Sequence, residues 1–267
     1  MKKTLAFAAT LLAAVAGSAL AQPQAQTSAL RPDQVEFRAL YKELVETNTT
    51  LSSGSCTLAA ERMAAHLKAA GFPDADLHFF GVPEHPKEGG LVAVLPGRDA
   101  KAKAVLMLAH LDVVEAKRED WTRDPFTLVE ENGNFYARGA VDDKAMASIW
   151  VDTLVRFKRE GFRPRRTLKL ALTCGEETNG SFNGAAYLAA NKRDLIDAAF
   201  AVNEGGGGML DPSGKPMFLG IQVGEKLTQN FTLEVTNPGG HSSRPLPDNA
   251  IYHLANALVR IQGYRFP

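Results

Sequence analysis

The sequence predicts an α/β fold: a mainly parallel sheet flanked by helices. Short apolar runs bounded by Gly and Pro alternate with segments of helical periodicity, which is how a sheet covered on both faces reads. The runs at residues 90–97, 104–109, 167–173 and 198–202 have strand length, and those around 35–45, 60–67, 146–157 and 183–190 have helical spacing. A chain of 267 residues, 45% hydrophobic and 22% charged, is large enough to bury such a core.

Residues 1–21 have the form of a secretory signal. Lys2 and Lys3 precede an apolar stretch that ends at Ala19-Leu20-Ala21, so cleavage is expected before Gln22 and the protein is expected to be secreted, or periplasmic in a host with two membranes. The apolar stretch is short for a membrane span, so no stable membrane anchor is expected. Residues 22–31, rich in Gln, Ser, Ala and Pro, read as a flexible lead-in.

A catalytic domain is expected over 32–224. The first helix covers 35–45, and the second carries Ala60, Met63 and Leu67 with Ser55 as its cap and Gly71 as its stop. The strand at 104–109 delivers His110 at its carboxyl end. Residues 126–129 and 135–137 flank an Asn132-Gly133 hairpin signal that leads into Asp142-Asp143. Met146, Ile149, Trp150, Thr153, Leu154 and Phe157 then form one apolar helix face that ends at Gly161. The strand at 167–173 leads to Glu176-Glu177, a helix covers 183–190, and the strand at 198–202 ends at Glu204. Gly205 to Gly208 lacks the Lys-Ser/Thr of a phosphate loop and reads as a turn. A second domain opens at 225–267, with an alternating strand at 231–235, the stretch around Gly240-His241, and a helix from 249 to about 261.

Thirty basic and thirty acidic residues cancel, and no basic cluster carries interleaved aromatics, so nucleic acid is not expected as a partner. Two cysteines in an exported chain permit one bridge, Cys56 to Cys174. Spacing alone does not bring their positions together, and Cys174 reads rather as a small buried core residue.

The chemistry is carried by four stretches, each standing where an apolar run or a glycine turn stops: His110-Leu111-Asp112, Asp142-Asp143, Glu176-Glu177 and Glu204. Adjacent carboxylates repel, and a cation has to offset that repulsion. Several hard carboxylates with one imidazole suit zinc or a similar divalent ion, and the carboxyl ends of parallel strands are where such a site collects.

The set His110-x-Asp112, Gly139-x-x-Asp142-Asp143-Lys144, Glu176-Glu177, Glu204 and Gly240-His241 resembles the M20 family of dinuclear zinc exopeptidases and N-acyl amino acid hydrolases, over residues 32–267. The resemblance implies a catalytic α/β domain, a ferredoxin-like lid that mediates homodimers, and two zinc ions. It implies that His110, Asp142 and Glu204 hold one zinc, that Asp142 bridges to a second zinc held by Glu177, and that Glu176 is the general base. It further implies that Asp112 orients the imidazole, that His241 donates to the oxyanion, and that the Asp142–Asp143 peptide is cis. Small peptides or N-acyl amino acids are the implied substrates. The family's remaining histidine ligand lies after the lid, so the chain is expected to be a truncated member with one zinc incompletely liganded. Arg244 and Asn249 are candidates for substrate contact. A metal-binding protein without activity is the rival reading.

Overall fold

The structure is a computed structural model and describes residues 29–178, 182–224, 229–241, 243, 244 and 246–265. The expected signal segment and most of the lead-in lie outside the described residues. Among those described, no helix is long and apolar enough to cross a membrane. The chain falls into two compact units, Met1–Glu204 and Gly205–Pro267.

In the first unit the helices are α1 (Pro32–Glu46), α2 (Cys56–Ala69), α3 (Lys144–Arg159), α4 (Gly184–Asn191) and the short α5 (Arg193–Ile196). The strands are β1 (Leu77–Phe80), β2 (Gly90–Leu95), β3 (Val105–His110), β6 (Leu168–Thr173) and β7 (Phe200–Val202), together with the hairpin β4 (Val129–Glu131) and β5 (Asn134–Tyr136). The capping signals hold. Ser55 Oγ accepts from the Leu58 amide at 3.1 Å, and Gly71 leaves α2 with a φ of 100°. Asn132 and Gly133 both take positive φ between β4 and β5.

The main sheet has the order β1-β2-β6-β3-β7. β3 runs parallel to both β6 and β7, whereas β2 pairs antiparallel with β6 and with β1. Four of the five strands therefore point one way and β2 alone is reversed. Alternation along the strands separates two cores. Leu91, Ala93, Met107, Ala109, Leu170 and Leu172 face α1, α2 and α3, while Val92, Leu106 and Ala171 face Phe182, Leu188 and the helices α4 and α5.

Four sequence expectations are corrected. The bridge between Cys56 and Cys174 is formed, because the fold brings the first residue of α2 beside the end of β6. On α3, the buried face is Lys144, Ala147, Ser148, Val151, Leu154 and Val155 rather than the expected bulky stripe, and Ile149 is exposed. Burial of Lys144 fixes the rotation, and its small neighbours let the helix approach the sheet while Met146, Trp150 and Phe157 pack at the rim. Gly205 to Gly208 is not a turn throughout: Gly206 opens β8 (Gly206–Leu210), which pairs antiparallel with β9 (Pro216–Ile221) in the second unit. Four glycines give little strand signal; pairing with β9 imposes the strand, and Asp211 pins the turn by accepting from the Ser213 and Lys215 amides at 2.8 and 2.9 Å. Residues 231–235 form no strand, since alternation alone cannot hold one and the described residues of this unit offer no partner for it. The final helix, α6 (Ala250–Gln262), forms as expected, with Asn249 Oδ1 accepting from the Ile251 amide at 2.8 Å.

Candidate metal centre

Three parallel strands set the site. The register places His110 at the end of β3 opposite Thr173 at the end of β6, with Glu176 and Glu177 three and four residues beyond, while Glu204 follows β7. Asp142 comes from the link between the hairpin and α3. Gly139 makes that link possible: its φ is 73°, and a Cβ there would stand 2.6 Å from Val113 Cγ1. The Asp142–Asp143 peptide is cis, as the resemblance implies.

His110 lies at the middle of the group. Its Nε2 is 2.9 Å from Asp142 Oδ1 and 3.5 Å from Glu204 Oε1. One ligand atom each from His110, Asp142 and Glu177 fall within 4.8 Å of one another, and so do those of His110, Glu176 and Glu204. Nδ1 is 3.0 Å from the backbone carbonyl of Asp112, a hydrogen bond that fixes the tautomer, whereas the Asp112 carboxylate is 3.6 Å away, too far for one. That carboxylate instead accepts from the amides of Glu176 at 3.3 Å and Glu177 at 2.9 Å.

The electrostatics describe an excess of negative charge. Burial alone would keep the His110 ring neutral, yet the carboxylates of Asp112, Asp143 and Glu204 outweigh it and push its pKa up to about 10. Burial, with Asp142 next to it, raises Glu177; burial also raises Glu204, and pushes Asp143 up to about 7. For Asp112 burial is opposed by the His110 ring and by the two amides, which together hold its carboxyl below the usual range. A divalent cation fits this donor set, since an imidazole nitrogen and four carboxylates converge and the carboxylates disfavour one another without a counter-charge.

Sequence reasoning named His110, Asp112, Asp142, Glu176, Glu177 and Glu204, and all six meet here. His241 belongs to the second unit, where its Nδ1 is 2.7 Å from Ser243 Oγ. Arg244 lies in the same unit, and Asn249 caps α6. Four supports surround the site; Asp143 and Lys144 stood in the motif without a role, and Tyr41 and Thr49 were missed. Buried Asp143 accepts from the His110 amide at 3.2 Å. Buried Lys144 donates to the Thr47 carbonyl at 2.7 Å, joining the end of α1 to the start of α3. Tyr41 donates to the Ala140 carbonyl at 2.6 Å, and Thr49 donates to the Leu111 carbonyl at 2.6 Å. Asp143 and Lys144 were marked by their place beside Asp142 in the motif, whereas nothing local in the sequence marks Tyr41 or Thr49.

Residues 106–266 match Peptidase family M20/M25/M40. The human N-fatty-acyl-amino acid synthase/hydrolase PM20D1 is 31% identical over 89% of this chain and 48% of its own length. A probable carboxypeptidase S-like 2 of Dictyostelium discoideum is 31% identical over 62% of this chain and 33% of its own. Aminoacylase-1 of Pongo abelii is 29% identical over 66% and 43%. The chain thus spans half or less of the length of these relatives. In fold it is similar to the M20 family metallo-carboxypeptidase Sso-CP2 from Sulfolobus solfataricus, with a TM-score of 0.54 and 22% identity over 69% of this chain and 39% of that one. It is also similar to human carnosine dipeptidase 1, with a TM-score of 0.50 and 24% identity over 64% and 38%. By its motifs, its fold and this match, the chain belongs to peptidase family M20/M25/M40.

Proposed function

We propose that this chain carries the metal centre of a zinc-dependent hydrolase of peptide or N-acyl amide bonds in small substrates. The observation that supports it most is that His110, at the end of β3, gathers two carboxylate pairs, Asp142 with Glu177 and Glu176 with Glu204, each triad with its ligand atoms within 4.8 Å of one another. In this reading His110, Asp142 and Glu204 would hold one zinc, and Asp142 and Glu177 would hold a second. Bound zinc supplies polarisation of the scissile carbonyl and a water acidic enough to react near neutral pH. Glu176 takes the proton of the attacking water on a carboxylate oxygen and returns it to the leaving amine. Asp112 keeps Nδ1 of His110 protonated, so that Nε2 presents its lone pair to the ion. Asp143 holds the backbone of His110 in place by accepting from its amide. His241 would donate to the developing oxyanion from a lid that pairs two copies of the chain. Export with Gln22 as the first residue belongs to the same reading, and the mass of the secreted protein tests it.

The decisive experiment loads the purified chain with zinc, measures metal content after dialysis, and assays a panel of N-acyl amino acids and dipeptides beside Glu176→Gln. Zinc-dependent release of free amino acid that the variant abolishes supports the reading. Zinc binding without turnover, in this chain and in a version extended to the length of its relatives, would leave a metal-binding protein.

A further inference from the structure

The Cys56–Cys174 bond joins the first residue of α2 to the residue that follows β6, two positions before Glu176. Both cysteines are buried, and a carboxylate oxygen of Asp112 lies within 4.8 Å of both sulfurs. The same carboxylate holds the amides of Glu176 and Glu177. α2 is a firm mount, because Ala59, Ala60, Met63 and Leu67 lie wholly within the core. The turn from Cys174 to Glu177 has no regular structure. Besides the Asp112 clamp it is held by the Gly184 amide on the Cys174 carbonyl at 2.7 Å and by Asn183 Nδ2 on the Gly175 carbonyl at 3.0 Å. Disulfide and clamp therefore support one short turn from the same side.

We propose that the Cys56–Cys174 disulfide is a positioning element of the metal centre, and that its cleavage by a dithiol weakens zinc binding without unfolding the chain. The proposal rests on the assignment of Glu176 and Glu177 to that centre. Cleavage adds two electrons and two protons, breaks the Sγ–Sγ bond and leaves two thiols, while the dithiol departs as its own disulfide. Two thiols need more room than a bonded pair. Each also gains a weak S–H donor within 4.8 Å of the Asp112 carboxylate, and a small shift of either thiol toward it would compete with the amides of Glu176 and Glu177. A cavity of about 170 Å³, lined by Thr50, Ser55, Lys87, Thr178 and both cysteines, lies against the bond.

The test measures zinc affinity, not turnover. Metal-free chain is reduced with a phosphine, which leaves as its oxide with oxygen from water, and is desalted without air. Zinc is then titrated against a chromophoric chelator, with alkylation and mass measurement to count thiols and far-ultraviolet dichroism to follow the fold. The oxidised chain is expected to bind zinc at least about tenfold more tightly than the reduced one, the loss typical of a disturbed ligand support. Reoxidation with diamide should restore the affinity, and the double variant Cys56→Ala/Cys174→Ala, which lacks the bond but carries no thiol to compete for Asp112 or to take zinc itself, should still bind zinc more weakly than the oxidised chain. Equal affinity in the oxidised chain and a folded chain with two counted thiols overturns the proposal. Loss of helical signal in both the reduced chain and the double variant also overturns it, since the bond would then support the whole fold. If the oxidised chain binds no zinc at all, the metal-centre reading falls first and takes this inference with it.

Discussion

The Asp112 carboxylate accepts the amide of Glu177 at 2.9 Å, while the carbonyl of the same residue is hydrogen-bonded to the His110 ring at 3.0 Å. One buried residue thus sets both the imidazole and the turn that carries the two glutamates. Asp112→Ala should lower zinc affinity by ~10- to 100-fold. Asp112→Asn keeps one acceptor oxygen and should fall between. Chelator competition on the three proteins would measure the order, and equal affinities would remove Asp112 from this role.

The adjacent glutamates should separate by experiment. Glu177→Ala is expected to lose metal and activity together. Glu176→Gln is expected to keep the metal and the fold while kcat falls by at least ~10² to 10⁴-fold, the usual contribution of a general base. Metal analysis beside steady-state kinetics in an active form of the protein decides it; a Glu176→Gln protein stripped of zinc would exchange the two roles.

Tyr41 reaches from α1 to the Ala140 carbonyl, two residues before Asp142. Tyr41→Phe leaves that buried carbonyl without its donor and should cost about 1–3 kcal/mol of stability in denaturant unfolding. Burial raises the Tyr41 pKa above its ordinary value of 10.0. Above that pH the unfolded chain gives up its phenolic proton first, so the folded state holds more protons and stability falls as pH rises. The slope from this group is at most ~1.4 kcal/mol per pH unit. Comparing unfolding at pH 9 and 11, the phenylalanine variant should lack that component.

Gly175 precedes Glu176 with a φ of 90°, and a Cβ there would stand 1.9 Å from the Phe182 carbonyl oxygen. Gly175→Ala therefore has to displace the turn. Zinc content should fall, and stability should drop by roughly 1–3 kcal/mol, the cost of forcing a side chain into such a conformation. Thermal unfolding and metal analysis on one preparation test both, and unchanged metal content would show that the turn tolerates movement.

Much of this was legible in the sequence because it is local. The cap at Ser55, the hairpin at Asn132-Gly133 and the stop at Gly161 are each fixed by a few neighbouring residues. His110, Glu176, Glu177 and Glu204 could be read because breakers mark where their strands stop. What escaped depends on residues far apart in the chain. Tyr41 and Ala140, Lys144 and Thr47, and Cys56 and Cys174 are each joined by roughly a hundred residues of folding that no periodicity records. The α3 face was misjudged for a related reason, since apolar size says which residues prefer burial and the buried Lys144 decided which were granted it. β8 was hidden by its glycines, which become a strand only through β9.

The short strand β7 pairs with β3 only through Phe200, Ala201 and Val202, and all three are exposed. An edge held by so few ladder bonds belongs to the part of a protein that opens without the rest unfolding. Glu204 hangs from that edge, whereas His110 is mounted on a central strand. Amide hydrogen exchange should accordingly be fast along β7 and slow along β3, and an ion held partly by Glu204 would come and go with the fraying of one strand rather than with the melting of the domain.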